Sequence, residues 1–178
     1  SLAAVYIVLA ALALGRLLGQ ARAGRLRWPR LSRHDLALAA VLLASLLLRL
    51  LAVRDLAFPP WVDSSHHALV AGLLEAAGQV PASYQPALPV GVFYYHFAFH
   101  ALAVSLHWLT GQSLTDTILF LGQVLNGLVA LSAYGLTWGL TGRRRAAWVA
   151  AFVVGVVSFF PGYFVTWGRY TQLTGLLV

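Results

Sequence analysis

The sequence predicts an all-α, polytopic transmembrane bundle, and three observations predict it. First, 60% of the 178 residues are apolar and only 10% are charged. Soluble domains are nearer 45–50% apolar and about 25% charged. Second, the apolar residues gather in blocks of about 15–23, close to the ~20 a helix needs to cross a bilayer. Third, all 12 basic residues are arginine, and Arg16, Arg22, Arg25, Arg27, Arg30 and Arg33 sit together between the first two blocks. That is the positive-inside signature of a membrane protein. The same placement argues against reading the +7 charge as a nucleic-acid footprint. Absence of Cys excludes a disulfide scaffold and thiolate metal sites. The expectation is one membrane domain over 1–178, with about five spanning helices, a truncated sixth, and a surface helix in the first outer loop.

The first block is 2–18, with Arg16 near enough to its end to snorkel. The arginine loop ends at Ser32-Arg33-His34-Asp35, where Ser32 or Asp35 can cap the next helix. The second block, 36–53, carries one charge, Arg49. A polar, proline-rich outer loop, 54–91, contains a helical run over 64–77 that is too short to span and reads as an amphipathic surface helix. The third block, 92–109, is rich in aromatics and histidine, and Gly111-Gln112-Ser113 turns the chain. The fourth, 118–140, carries Gly135 and Gly139 as a GxxxG with Gly127 eight residues earlier, a seam for close helix approach. Arg143-Arg144-Arg145 precede the fifth, 146–160, which can run on to Val165 across Pro161-Gly162. The chain reads as a piece of a longer protein: it has no Met, and its last apolar segment, 173–178, has only six residues.

Counting crossings from a cytoplasmic Arg16–Arg33 loop puts Asp63 outside, the Gly111 turn inside, the triple arginine outside and Arg169 inside. Seven arginines then lie inside and four outside, with Arg49 within its helix. The triple arginine strains the rule. An integral protein of the plasma (inner) membrane is expected.

The outer loop holds the densest chemistry, Trp61-Val62-Asp63-Ser64-Ser65-His66-His67. Asp63 can start the surface helix, where a carboxylate meets free backbone N–H groups. It can equally act as a base at the membrane–water boundary. Asp63, His66 and His67 could also take a divalent ion, although no dense metal-ligand motif is present. Arg49 either snorkels outward or pairs with a phosphate or carboxylate near Asp63. His96, His100 and His107, spaced four and seven apart, fall within about 40° on a helical wheel. One stripe of imidazoles can wall a polar cavity, ligate pigment or haem, or relay protons. Arg169, with Tyr170 and Gln172, can hold a phosphate or carboxylate. Gln123 and Asn126 read as interhelical hydrogen-bonding glue.

This order of features resembles the GT-C superfamily of membrane glycosyltransferases, which includes protein O-mannosyltransferases, aminoarabinose transferases and the oligosaccharyltransferase catalytic subunit. The likeness covers roughly 36–178: helix 36–53, then Asp63, the helix 64–77, the Pro81–Pro86 approach, and Tyr94-Tyr95-His96. It departs in having Ser64 where many members carry a second acid, and in the extra helix 2–18. The resemblance implies transfer of a sugar from a polyprenyl-phosphate donor at the outer face. Asp63 would be the base, and Arg49, Arg54, His66 and His67 would be the cations beside the leaving phosphate, with an apolar groove for the lipid. The reading from a different class is a non-catalytic subunit of a larger membrane complex, contacting pigment or haem through the histidine stripe.

Overall fold

The computed structural model describes residues 2–24 and 31–177. Arg25, Arg27 and Arg30 of the arginine loop lie outside the described residues. Among the described residues the chain is all-helical, and it divides into two units, 1–33 and 34–178. The first unit holds α1 (Leu2–Arg22), an unbroken apolar helix ending on Arg22.

The second unit is built on three helical segments long and apolar enough to span a membrane: α2 (Arg33–Val53), α5 (Leu114–Thr141), and the run Arg144–Thr166. That run comprises α6 (Arg144–Phe152), a π-helical turn (Val153–Val157) and the short α7 (Gly162–Thr166). In α2 the packing is inverted relative to a helix of a soluble bundle. Its buried residues are Ser45 and Val53, while Leu36, Leu43, Leu47, Leu48 and Leu51 are about half exposed. Polar groups therefore face inward and leucines outward, as expected where lipid is the solvent.

Arg49 is the centre of that polar interior. Its Nε donates to Asn126 Oδ1, and one terminal nitrogen donates to Ser45 O at 3.0 Å, Ser45 Oγ at 2.9 Å and Gly155 O at 2.7 Å. Asn126 Nδ2 in turn donates to Pro161 O at 3.0 Å. The guanidinium thus does not snorkel outward. It ties α2, α5 and the broken α6–α7 segment together through neutral oxygens, which spares the cost of an unsatisfied charge in an apolar span. Asn126 acts as interhelical glue, whereas the hydrogen bond of Gln123 stays within α5, to Leu119 O.

Directions follow from matched contacts. Trp148 Nε1 donates to His34 O at 3.3 Å near the starts of α6 and α2, and Arg49 meets Gly155 near their other ends. These two elements run the same way. α5 runs against them, with Tyr134 beside Leu38, Val41 and Ala147, and Gly127 against Leu46.

The remaining helices are α3 (Val62–Ala77), α4 (Ala98–Thr110) and α8 (Tyr170–Gly175). With 13 residues, α4 is about 20 Å long, short of a ~30 Å hydrocarbon core. The 92–109 block was expected to span; its first six residues are instead non-helical. Helices α3 and α4 lie side by side in the same direction, with His67 on His100 and Glu75 on His107. The face Ser64, His67, Val70, Ala71, Leu74 of α3 is buried against α4 and α5, so it is covered by protein and not laid on lipid. Gly111, at φ 71°, ends α4, and Ser113 Oγ accepts from Asp116 N to start α5. The stretch from Leu114 to Asn126 extends about 18 Å beyond the Arg49 level, and Ile118, Leu121 and Leu125 there join the core that holds α3, α4 and α8.

Arg143–Arg145 come to the end of the bundle where Arg33 opens α2, and Arg169 comes to the end of Asp63. Asp63 and Arg169, which the crossing count puts on opposite sides, therefore share one end of the bundle. The GxxxG is also reassigned: a Cβ at Gly135 or Gly139 would meet open space, Gly127 makes an ordinary contact with Leu46, and Gly122 and Gly155 make close approaches.

Candidate functional site

The site forms where the turn before α8 lands on the first turn of α3. Gly168 has φ 67°, and a Cβ there would lie 2.9 Å from Ser64 Oγ, 3.0 Å from Ser64 N and 3.1 Å from Asp63 Cβ. Only glycine admits both the left-handed backbone and the approach. The contact is locked by hydrogen bonds. His67 Nε2 lies 2.6 Å from Gly168 O, and His67 Nδ1 lies 2.9 Å from His100 Nε2. A carbonyl only accepts, so His67 carries its proton on Nε2. In the neutral ring Nδ1 then accepts, and His100 donates from Nε2. Burial is the main reason both imidazoles stay neutral: it lowers His67, and it takes His100 down to about 3, with His67 as the second cause.

This clasp brings Asp63 and Arg169 together, Nε to Oδ2 at 3.9 Å, with both side chains about half exposed. They rim a polar cavity of about 350 Å³ lined by Asp63, His67, Tyr95, His96, Gly168, Arg169, Thr171 and Gln172. The long separation leaves carboxylate lone pairs and guanidinium N–H groups free to meet a ligand. Asp63 is the second residue of α3; Trp61 occupies the cap position with no side-chain cap bond. The carboxylate thus faces the positive end of the helix without being spent on capping it.

Of the expected site residues, Asp63, His67, His96 and Arg169 meet at this cavity. The others do not. Arg54 pairs with Asp55 at 3.2 Å and donates to Leu51 O, well exposed. Arg49 is engaged in the bundle interior. His66 sits between Tyr95, at 4.8 Å, and Tyr84, at 6.0 Å. Tyr170 is fully buried, stacked on Phe99 at 5.2 Å and seated on Gly122, where any Cβ would overlap its ring. It is a core residue that seats α8, and burial pushes its phenol up to about 12. His100 lies behind His67 with no exposure.

The histidine stripe is likewise divided. His96 precedes α4 and lines the cavity, His100 is paired to His67, and His107 meets Glu75 at 2.9 Å. Two of the three are committed to joining α3 and α4. Among the described residues no three His, Asp or Glu side chains converge as metal ligands. Tyr95, beside the histidine stripe, and Gly168 and Thr171, in the polar stretch 166–172, line the site although no role there was expected of them. The Trp167-Gly168-Arg169 step carried the one usable signal, a glycine between two large side chains.

A second, apolar groove of about 260 Å³ lies between α2 and the broken segment, from Leu48 and Arg49 to Pro60 and Thr166. No protein-family model, curated protein or solved structure matches the chain.

Proposed function

We propose that this chain is the membrane part of a GT-C-type glycosyltransferase that transfers a sugar from a polyprenyl-phosphate donor at the outer membrane face. One observation carries the reading. Two residues 106 positions apart, Asp63 and Arg169, meet at the rim of a polar cavity at one end of a membrane bundle. A half-exposed carboxylate can take the proton of an acceptor hydroxyl as that oxygen attacks the anomeric carbon. The bond from that carbon to the donor phosphate breaks, and the phosphate gains charge beside the Arg169 guanidinium. His67 and His100 position Arg169 through Gly168. The apolar groove along Leu48, Ala52 and Leu56 offers room for part of a lipid chain.

The same reading sets the topology. Arg33 and Arg143–Arg145 share the cytoplasmic end, and Arg54 and Arg169 lie at the outer end. With α1 as a further span, the chain crosses the inner membrane four times. The helices α3, α4 and α8 form an outer layer over α5.

Asp63→Asn tests the reading in the full-length protein, reconstituted with a panel of polyprenyl-phosphate sugars. Asn keeps the shape but is no base, so transfer should fall about 10²–10⁴-fold. Thermal stability should hardly move, because an exposed ion pair is worth about 0–1 kcal/mol. Undiminished transfer by the variant would remove Asp63 from the chemistry. Absence of transfer by the unmutated protein with every donor would replace the enzyme with a non-catalytic subunit of a membrane complex.

A further inference from the structure

Trp61 and Trp167 lie near-parallel in an offset stack, ring centroids 6.3 Å apart and planes within 13°. They lie 106 positions apart in the sequence, each two residues before a member of the Asp63–Arg169 pair. Both stay exposed, Trp61 at 61% and Trp167 at 47%. Trp61 also adopts φ 77°, ψ 160°, a region populated almost only by glycine. Among the described residues it is the one non-glycine with positive φ. Strain of this kind persists only where the surroundings over-determine it, and it gathers at ligand-binding sites. A tryptophan anchoring the bilayer interface needs an indole at the right depth, not a strained backbone and a parallel partner indole beside it.

What such a surface would take follows from its neighbours. An indole face receives an apolar, positively polarised C–H surface or a cation. Arg169 already lies over Trp167, at 5.8 Å, and its charge disfavours a second cation. Asp63, two residues from Trp61, accepts from hydroxyls. A ring with C–H groups on its face and hydroxyls on its rim satisfies both, and a neutral pyranose is that ring.

We propose that the Trp61–Trp167 pair is a stacking platform for a neutral sugar ring, so that the acceptor is itself a glycan whose hydroxyl is presented to Asp63. The assignment of an acceptor rests on the transferase reading; the binding of sugar to the platform does not.

The test is saturation-transfer NMR on the full-length protein in nanodiscs, with methyl α-mannoside, methyl β-glucoside and methyl β-N-acetylglucosaminide as probes. Wild-type protein should transfer saturation to the ring C–H protons of at least one. Trp61→Gly should lose that signal at least tenfold, with an unchanged or higher melting temperature, because glycine accepts the native φ and ψ. Asp63→Asn, whose amide oxygen still accepts from a hydroxyl, should weaken the signal several-fold less than Trp61→Gly while abolishing transfer, which separates failure of the platform from failure of the catalytic reading. Trp167→Phe, which retains an aromatic floor, should keep a weakened signal. No signal from wild type with any glycoside, or equal signals from wild type and Trp61→Gly, would overturn the platform.

Discussion

The imidazole pair His67–His100 offers the sharpest test of how this fold holds its cavity together. Replacing His67 by Phe keeps a ring beside Phe99 and Tyr170, which lie 5.8 and 5.5 Å from the native imidazole. It strands two buried groups, the Gly168 carbonyl and the His100 Nε2–H. At about 1–3 kcal/mol each, the loss should be about 2–6 kcal/mol. The double variant His67→Phe/His100→Leu strands only the carbonyl, so it should be more stable than the single variant although it carries one more change. Melting curves in a fixed detergent at fixed pH would read the order. A single variant as stable as wild type, or a double variant less stable than the single, would refute the shared-proton arrangement. The pair also sets an acid limb. Burial holds both imidazoles below their unfolded value of about 6.5. The unfolded chain therefore binds more protons below that pH, and stability is whole above 6.5 and falls on acidification. With His100 at about 3, its contribution to the loss is about 1 kcal/mol by pH 5.5 and about 3 kcal/mol by pH 4.5. The double variant should lose this slope.

Two further outcomes test the architecture. Single cysteines at Ser83 and Gln112 should label from the same face of sealed vesicles and one at Arg145 from the opposite face; labelling of Gln112 with Arg145 would restore α4 as a crossing. Gly122→Ala should cost about 1–3 kcal/mol by overpacking against Tyr170, while Gly139→Ala, with open space at its Cβ, should be neutral or slightly stabilising; equal melting shifts for the two would remove Tyr170 as the seat of α8.

Much of the fold was legible because bilayers demand long apolar runs. Helix 36–53, the lone Arg49, the 64–77 helix and the Gly111 turn all stood out by hydropathy or turn chemistry. The crossing parity did not. The 92–109 block is apolar enough to span, yet its first residues, including Tyr94, Tyr95 and His96, stay non-helical and line or flank the cavity. Hydropathy measures apolarity alone, and α4 spends its apolarity on α3 and α5 instead of lipid. Counting that block as a span separates Arg169 from Asp63, which the fold brings within 3.9 Å. Arg49 was visible as anomalous, but its partners Asn126 and Gly155 lie on other helices, and no local pattern announces a neutral oxygen 77 or 106 positions away. Tyr170 looked like a ligand group beside Arg169. Its burial follows from Gly122, whose missing side chain makes room for the phenol.

The length of α5 has a consequence of its own. Its 28 residues measure about 42 Å, against a hydrocarbon thickness of about 30 Å. The excess is the stretch from Leu114 to Asn126, whose apolar face is covered by α3, α4 and α8 and not by lipid. One continuous helix therefore carries Asn126, in the Arg49 network, and, one turn nearer its start, Gly122 under Tyr170. It is a single rigid post from the polar interior of the bundle to the seat of α8, so a break between Gly122 and Asn126 should uncouple the cavity from the bundle below it.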